Sequence, residues 1–216
     1  RVTGFNWSGS HAEYFAVPEQ YAYPVPPGLD IRMAAVAPIA FGTAHDALIE
    51  YGGITKGQHV LVQGAAGGVG LAAIQIAAEA GAIVIGTASG AERLRRIAPF
   101  GMAHGIDYRS EDIAERCHAI TGGAGVDLAI DLAGGVGKDL LVKSLRPHGK
   151  YAAVGASTGD IPSFSFFELI GERLNVYGVS LGSEMQTQRV YDMILAVLEK
   201  VSAGAYTMPI DREFAL

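Results

Sequence analysis

The chain has 216 residues, half of them hydrophobic, and a formal net charge of −6. That length accommodates one complete domain and pieces of another, and the mild acidity leaves no electrostatic footprint for nucleic acid or an anionic membrane. Cys117 is the only cysteine, which excludes an internal disulfide and a multi-cysteine zinc cage and suits a reducing, cytoplasmic compartment. No targeting segment is expected at the start. Glycine, 29 of 216 residues, is roughly double the ordinary ~7 %; without a three-residue period, it must serve turns and close backbone approach.

In chain order, Ala12–Val17 reads as a short strand stopped by Pro18. Pro24, Pro26 and Pro27 stiffen a connector. Asp30 caps a helix starting at Ile31, and a second helix is expected from Ile39 to Tyr51, stopped by Gly52 and Gly53. Strand–helix alternation then begins. The strands are His59–Gln63, Ile83–Ile85, His104–Tyr108, Val126–Asp131, Tyr151–Val154 and Leu174–Val179. The helices are Val69–Ala80, Ala91–Ile97, a third capped by Ser110 and reaching Ile120, Lys138–Leu145, and a long one over Glu184–Val201. The uncharged stretch Gly57–Ala78 is long enough for a membrane span, but its glutamines and clustered glycines fit a strand, tight turn and helix.

Short Val/Ile-rich strands without polar alternation belong in a sheet covered on both faces, and repeated strand–helix–strand units make that sheet parallel. The fold class is therefore α/β: a doubly wound parallel-sheet Rossmann domain over residues 31–181. Residues 1–30 form a remnant of a second domain and its connector, and residues 182–216 a helix returning toward that domain.

The segment Gly64-Ala65-Ala66-Gly67-Gly68-Val69-Gly70 follows a predicted strand and opens a predicted helix, the context a dinucleotide fingerprint requires. Gly67 and Gly70 match its second and third glycines, for close pyrophosphate approach and helix–strand packing, while Ala65 stands where the first usually sits. Alone, the turn also fits a tight strand–helix connection with no ligand. At the end of the next strand, where an NAD site places an acid, the chain reads Gly86-Thr87-Ala88-Ser89-Gly90 and then Arg93, Arg95 and Arg96. An arginine there can pair with a 2′-phosphate through hydrogen bonds worth roughly 1.5–3 kcal/mol each, so NADPH is the expected cofactor. At least two of the three arginines fit a solvated helix face instead.

Six ordered segments resemble signatures of the zinc-independent quinone oxidoreductases, the zeta-crystallin-like branch of the medium-chain dehydrogenase/reductase superfamily. They are Gly9–Tyr14, Ala65–Gly70, Ile106–Arg109, Asp131–Gly135, Val154–Ser157 and Gly178–Leu181. Against that family the chain is expected to be truncated at both ends, with the first segment a remnant of a GroES-like substrate domain. The resemblance places Thr43 near the nicotinamide carboxamide and Gly67, Gly68 and Val69 at the pyrophosphate. It puts Ser89, Arg93 and Tyr108 around the 2′-phosphate and adenine, and Gly134, Val154, Gly155 and Ser157 along the ribose and nicotinamide, with Val179 and Ser180 nearby. Thr43 as a helix-internal hydroxyl, Tyr108 as a half-buried strand-end aromatic, and Val154 and Val179 as core residues are the bland alternatives.

Zinc is not expected: the cysteine-rich lobe of the zinc-bearing relatives is missing, the expected catalytic cysteine falls near Ile39, and the six histidines show no paired helical spacing. No triad or carboxylate pair stands out, His45 fits an ordinary helix-surface residue, and no catalytic residue is assigned. The implied activity is NADPH-dependent hydride transfer to a small electrophilic quinone or conjugated carbonyl, with a homodimer formed through the Leu174–Val179 edge. The alternatives are an enoyl-thioester reductase, such as a synthase module, and a non-catalytic nucleotide-binding protein of the same fold.

Overall fold

The computed structural model describes residues 1–135 and 137–214. By internal contacts the chain divides into two compact units: Arg1–Thr43 with the segment from Ser180 onward, and Ala44–Val179. The first division falls inside a helix that spans residues 31–45.

The second unit is built on a parallel sheet of six strands. These are β3 (His59–Val62), β4 (Ile83–Ala88), β5 (His104–Asp107), β6 (Val126–Asp131), β7 (Leu145–Ala153) and β8 (Asn175–Gly178), arranged β5-β4-β3-β6-β7-β8. Chain order reverses at the β3–β6 pair, the topological switch point at which doubly wound sheets bind ligands. The connecting helices are α2 (Gly68–Glu79), α3 (Ala91–Ile97), α4 (Ile113–Ile120), α5 (Gly137–Ser144) and α6 (Phe166–Gly171). Val60, Leu61, Val62, Leu128, Ala129 and Ile130 are almost wholly buried, which is why the central strands carry no polar alternation. One contiguous cluster joins Leu61, Ile85, Ile106, Ala129, Leu141 and Tyr151 with Cys117.

The first unit holds an antiparallel pair, β1 (Val2–Gly4) and β2 (Ala22–Pro24), the start of α1 (Ile31–His45), and α7 (Leu181–Glu184) and α8 (Gln188–Ser202). Asp30 accepts the Arg32 amide at 2.9 Å, and the Arg32 side chain holds its carboxyl down at about 2. Aromatic contacts pack this unit: Phe41 stacks on Tyr206 at 4.9 Å, and Tyr23 meets Tyr191 at 5.3 Å.

Several expected elements differ. Ala12–Val17 is irregular, because β1 pairs with β2 and the Phe5 amide bonds the Tyr21 carbonyl, leaving no strand beside it. The two helices expected around Pro38 are one helix running through it, followed by a π-turn over Asp46–Glu50. Proline removes one donor there without ending the helix. Asp112, not Ser110, caps α4, accepting the Glu115 amide at 2.9 Å. Strand β7 begins at Leu145, six residues early, with an irregular register opposite β6 where His148 takes a positive φ of 63°. The long C-terminal helix begins at Gln188, after the separate turn of α7. Helix α6, absent from the sequence reading, is opened by a capping box between Ser165 and Glu168, a pattern visible in the sequence.

Leu128 is 1 % exposed in the second central strand. Leu128→Ala is expected to cost about 2–5 kcal/mol, read as a lower denaturation midpoint with an unchanged slope; a shift below about 0.5 kcal/mol would show that the core re-forms around the gap.

Candidate nucleotide-binding site

All six strands run the same way, so the loops after β3, β4, β6 and β7 share one rim of the sheet. After β3, Gly64 turns the chain with φ of 68°; the Gly67 amide bonds the Gly64 carbonyl at 3.0 Å, and the Ala65 amide bonds the Thr87 carbonyl of β4 at 3.1 Å. Helix α2 then starts with no side-chain cap at Gly67, leaving the amides of its first turn aimed outward with the positive end of the helix dipole.

Two glycines of this loop differ in what demands them. A Cβ on Gly70 would lie 2.5 Å from the Gly64 oxygen and 2.8 Å from Ala65 backbone atoms, an impossible approach. On Gly67 it would meet only the Gly64 oxygen, at an ordinary 3.4 Å, and the φ of −81° suits any residue. Among the described residues nothing requires glycine at 67, and a helix start left bare in this way is the geometry at which anions bind.

After β4, the Arg93 guanidinium donates to the Ser89 hydroxyl at 2.9 Å. Among the described residues no carboxylate pairs with Arg93, whereas Arg95 is paired with Glu92. One arginine of the three is thus held beside a hydroxyl, with donors to spare. Asp107, at the end of β5, accepts the Gly90 amide at 2.9 Å and the Arg109 amide at 3.1 Å; these bonds hold its carboxyl below the ordinary value and tie down the loop carrying Ser89. Tyr108 follows, half exposed.

On the other side of the switch point, the loops after β6 and β7 are joined. The Val154 and Gly155 amides both donate to the Asp131 carbonyl, at 3.0 and 3.1 Å, and the Thr158 amide and hydroxyl to the Ala133 carbonyl, at 3.1 and 2.9 Å. A Cβ on Gly134 would lie 2.6 Å from the Asp160 oxygen, and one on Gly155 2.9 Å from the Leu132 oxygen. These glycines therefore serve the packing of loop on loop. Ser157 is exposed on the second loop, and Val179 is buried after β8, its amide on the Ala153 carbonyl at 2.9 Å. Beyond the loops, Lys138 bonds Glu168 at 2.5 Å and lies over the Phe164 ring at 5.2 Å; with Ser165 it holds the Glu168 carboxyl down at about 2, fastening α6 to α5.

The structure therefore brings Gly67, Gly68, Val69, Ser89, Arg93, Tyr108, Gly134, Val154, Gly155 and Ser157 to the loops and first helical turns on one rim of the sheet, with Val179 just past the edge strand. Thr43 and Ser180 lie in the first unit. Two supporting acids, Asp107 and Asp131, lie within the quoted sequence motifs but were given no role there; an aspartate at a strand end ahead of a turn is the signal that could have found them. No group of three or more His, Cys, Asp or Glu residues that could hold a metal exists among the described residues, and no described helix is long and apolar enough to cross a membrane.

A doubly wound sheet with a glycine turn at its switch point defines a dinucleotide-binding class of domain. The family model for zinc-binding dehydrogenases matches residues 68–197, and the chain belongs to that family. It is 32 % identical over 220 residues to a mycocerosic acid synthase-like polyketide synthase of Mycobacterium tuberculosis, a match spanning 100 % of this chain and 10 % of the synthase. With human quinone oxidoreductase it shares 32 % identity over 194 residues, covering 89 % of this chain and 57 % of the relative. The structure of Escherichia coli quinone oxidoreductase complexed with NADPH superposes with a TM-score of 0.83 at 26 % identity, over 88 % of this chain and 59 % of that one. The chain thus spans only part of each of these relatives.

The two glycines separate experimentally. Gly70→Ala is expected to lower stability by about 1–3 kcal/mol in thermal unfolding. Gly67→Ala should leave the melting temperature within a degree or so of the parent while weakening dinucleotide binding by about tenfold. Equal melting temperatures for both variants would contradict the contact geometry.

Proposed function

We propose that the second unit holds NADPH along the rim of its sheet, as part of a zinc-independent oxidoreductase that reduces quinones or related conjugated carbonyls. The observation that carries this reading is the Ser89–Arg93 pair standing, free of any carboxylate, where an NAD site has its acid. Gly67, Gly68 and Val69 would offer the pyrophosphate their exposed backbone, and Ser89 and Arg93 the 2′-phosphate, with Tyr108 toward the adenine. Gly134, Val154, Gly155, Ser157 and Val179 are proposed for the ribose and nicotinamide. When bound, such a cofactor supplies a hydride to an electron-poor carbon of the acceptor. The chain's own residues bind the anion, select its phosphate and hold the two loops that orient the rest. The human and Escherichia coli relatives support a quinone as acceptor by their names, and the latter's NADPH complex supports the cofactor.

Zinc independence is supported by the donor set. Cys117 is buried in the core, and burial pushes its thiol up to about 11, so it is no ready metal ligand. The end-to-end match to a polyketide synthase favours a second reading, an enoyl-thioester reductase module with the same cofactor residues and a different acceptor pocket.

A fluorescence titration of the chain with NADPH and NADH should show preferential binding of NADPH, and Arg93→Ala should weaken NADPH by about tenfold or more while changing NADH by less than about twofold. Equal losses would place the 2′-phosphate elsewhere. Turnover of a simple quinone beside a crotonyl thioester separates the two acceptor classes, and binding without turnover of either would favour a non-catalytic nucleotide-binding protein.

A homodimer is proposed through the outer edge of β8, the last strand in the sheet order, where Val176 is 38 % exposed. The edge strand of a sheet is a template for pairing. Sedimentation should give a dimer, and Val176→Lys a monomer; a wild-type monomer at micromolar concentration would remove this assignment.

A further inference from the structure

Asp131 is 1 % exposed and Tyr151 is wholly buried. Burying a carboxylate is costly unless its oxygens are fully bonded. Here they are. One oxygen accepts the Ala133 amide at 3.0 Å and the Gly134 amide at 2.7 Å, and the other accepts the Tyr151 hydroxyl. Burial first, and then that bond, raises the Tyr151 hydroxyl well above the ordinary phenol value, keeping it a donor. The backbone carbonyl of Asp131 takes the Val154 and Gly155 amides. Every acceptor of Asp131 is thus committed: the carboxylate shapes the loop after β6, the carbonyl anchors the loop after β7, and Tyr151, on β7, locks the side chain from below.

We propose that Asp131, oriented by Tyr151, is the positioning residue for the nicotinamide half of the cofactor. It would fix together the loops that present Gly134, Val154 and Gly155, without itself touching the cofactor. The inference rests on the reading of this rim as an NADPH site. Its reach is limited to one side of the switch point. Gly67, Ser89 and Arg93 are held by different contacts, from the Gly64 turn and from Asp107. A residue that served only the fold would weaken both halves together.

The test compares NADPH with 2′,5′-ADP, which carries the adenosine half and its 2′-phosphate but no nicotinamide, in titrations of wild type, Asp131→Ala, Asp131→Asn and Tyr151→Phe, each checked for a cooperative melt. Asp131→Ala should weaken NADPH by about ten- to a hundredfold and 2′,5′-ADP by less than about threefold. Asn keeps the oxygen that holds both amides, so Asp131→Asn should bind NADPH within about threefold of wild type. Tyr151→Phe removes a single hydroxyl and should weaken NADPH by a few-fold with 2′,5′-ADP unchanged, giving the readout even where Asp131→Ala does not fold. Parallel losses of both ligands, or no loss of NADPH in folded Tyr151→Phe and Asp131→Ala, would overturn the assignment. Wild type binding neither ligand would overturn the site reading itself, and this inference with it.

Discussion

The start of α2 lies so close to the end of β3 that a single methyl group at residue 70 would overlap backbone atoms of Gly64 and Ala65. That approach seats the helix end at the switch point of the sheet, directly beside the reversal from β3 to β6. The uncapped amides of the first turn and the Ala65–Thr87 bond to the neighbouring strand lie beside that approach. A helix pushed outward there would still be a helix, but its dipole would no longer be aimed at the rim.

The two sides of the rim are stabilised by the same chemical device, an aspartate at a strand end spending its side chain on nearby main-chain donors. Asp107 does this beside the β4 loop, Asp131 beside the β6 and β7 loops. Their surroundings differ. Asp107 stands near solvent and can exchange its bonds with water. Asp131 is sealed and needs Tyr151 to complete its shell, so the β6–β7 side is the more rigidly specified of the two.

Much of the second unit was legible in the sequence because its signals were local. The apolar runs at Val60–Val62, Ile83–Ile85 and Leu128–Ile130 admit one kind of strand, and Gly64–Gly70 is a turn whose purpose follows from residue size. The elements that were misread depend on partners far along the chain. Ala12–Val17 has a strand's composition but no neighbour to bond. Pro38 looks like a stop only until the helix around it is seen to continue, and the irregular register around Pro147–Gly149 hides the early start of β7. Helix α6 is signalled by capping at Ser165 and Glu168 and not by apolar periodicity. Arg93 could not be told from Arg95 by spacing alone. The difference is that Glu92 engages one and Ser89 the other.

The strand order has a consequence for synthesis. β3 is the first strand of the sheet to be made and one of the two at its centre, flanked by β4 and β6. Once β4 and β5 have emerged they can cover only one of its sides. The other edge, formed by the backbone of Val60, Leu61 and Val62, has no partner until β6 leaves the ribosome more than sixty residues after β3. Parallel pairing of this kind is slow because the intervening loop must close first, and unpaired apolar edges are what nascent chains aggregate through. The feature that centres the rim on β3 therefore also leaves the half-made sheet with an open inner edge until β6 arrives.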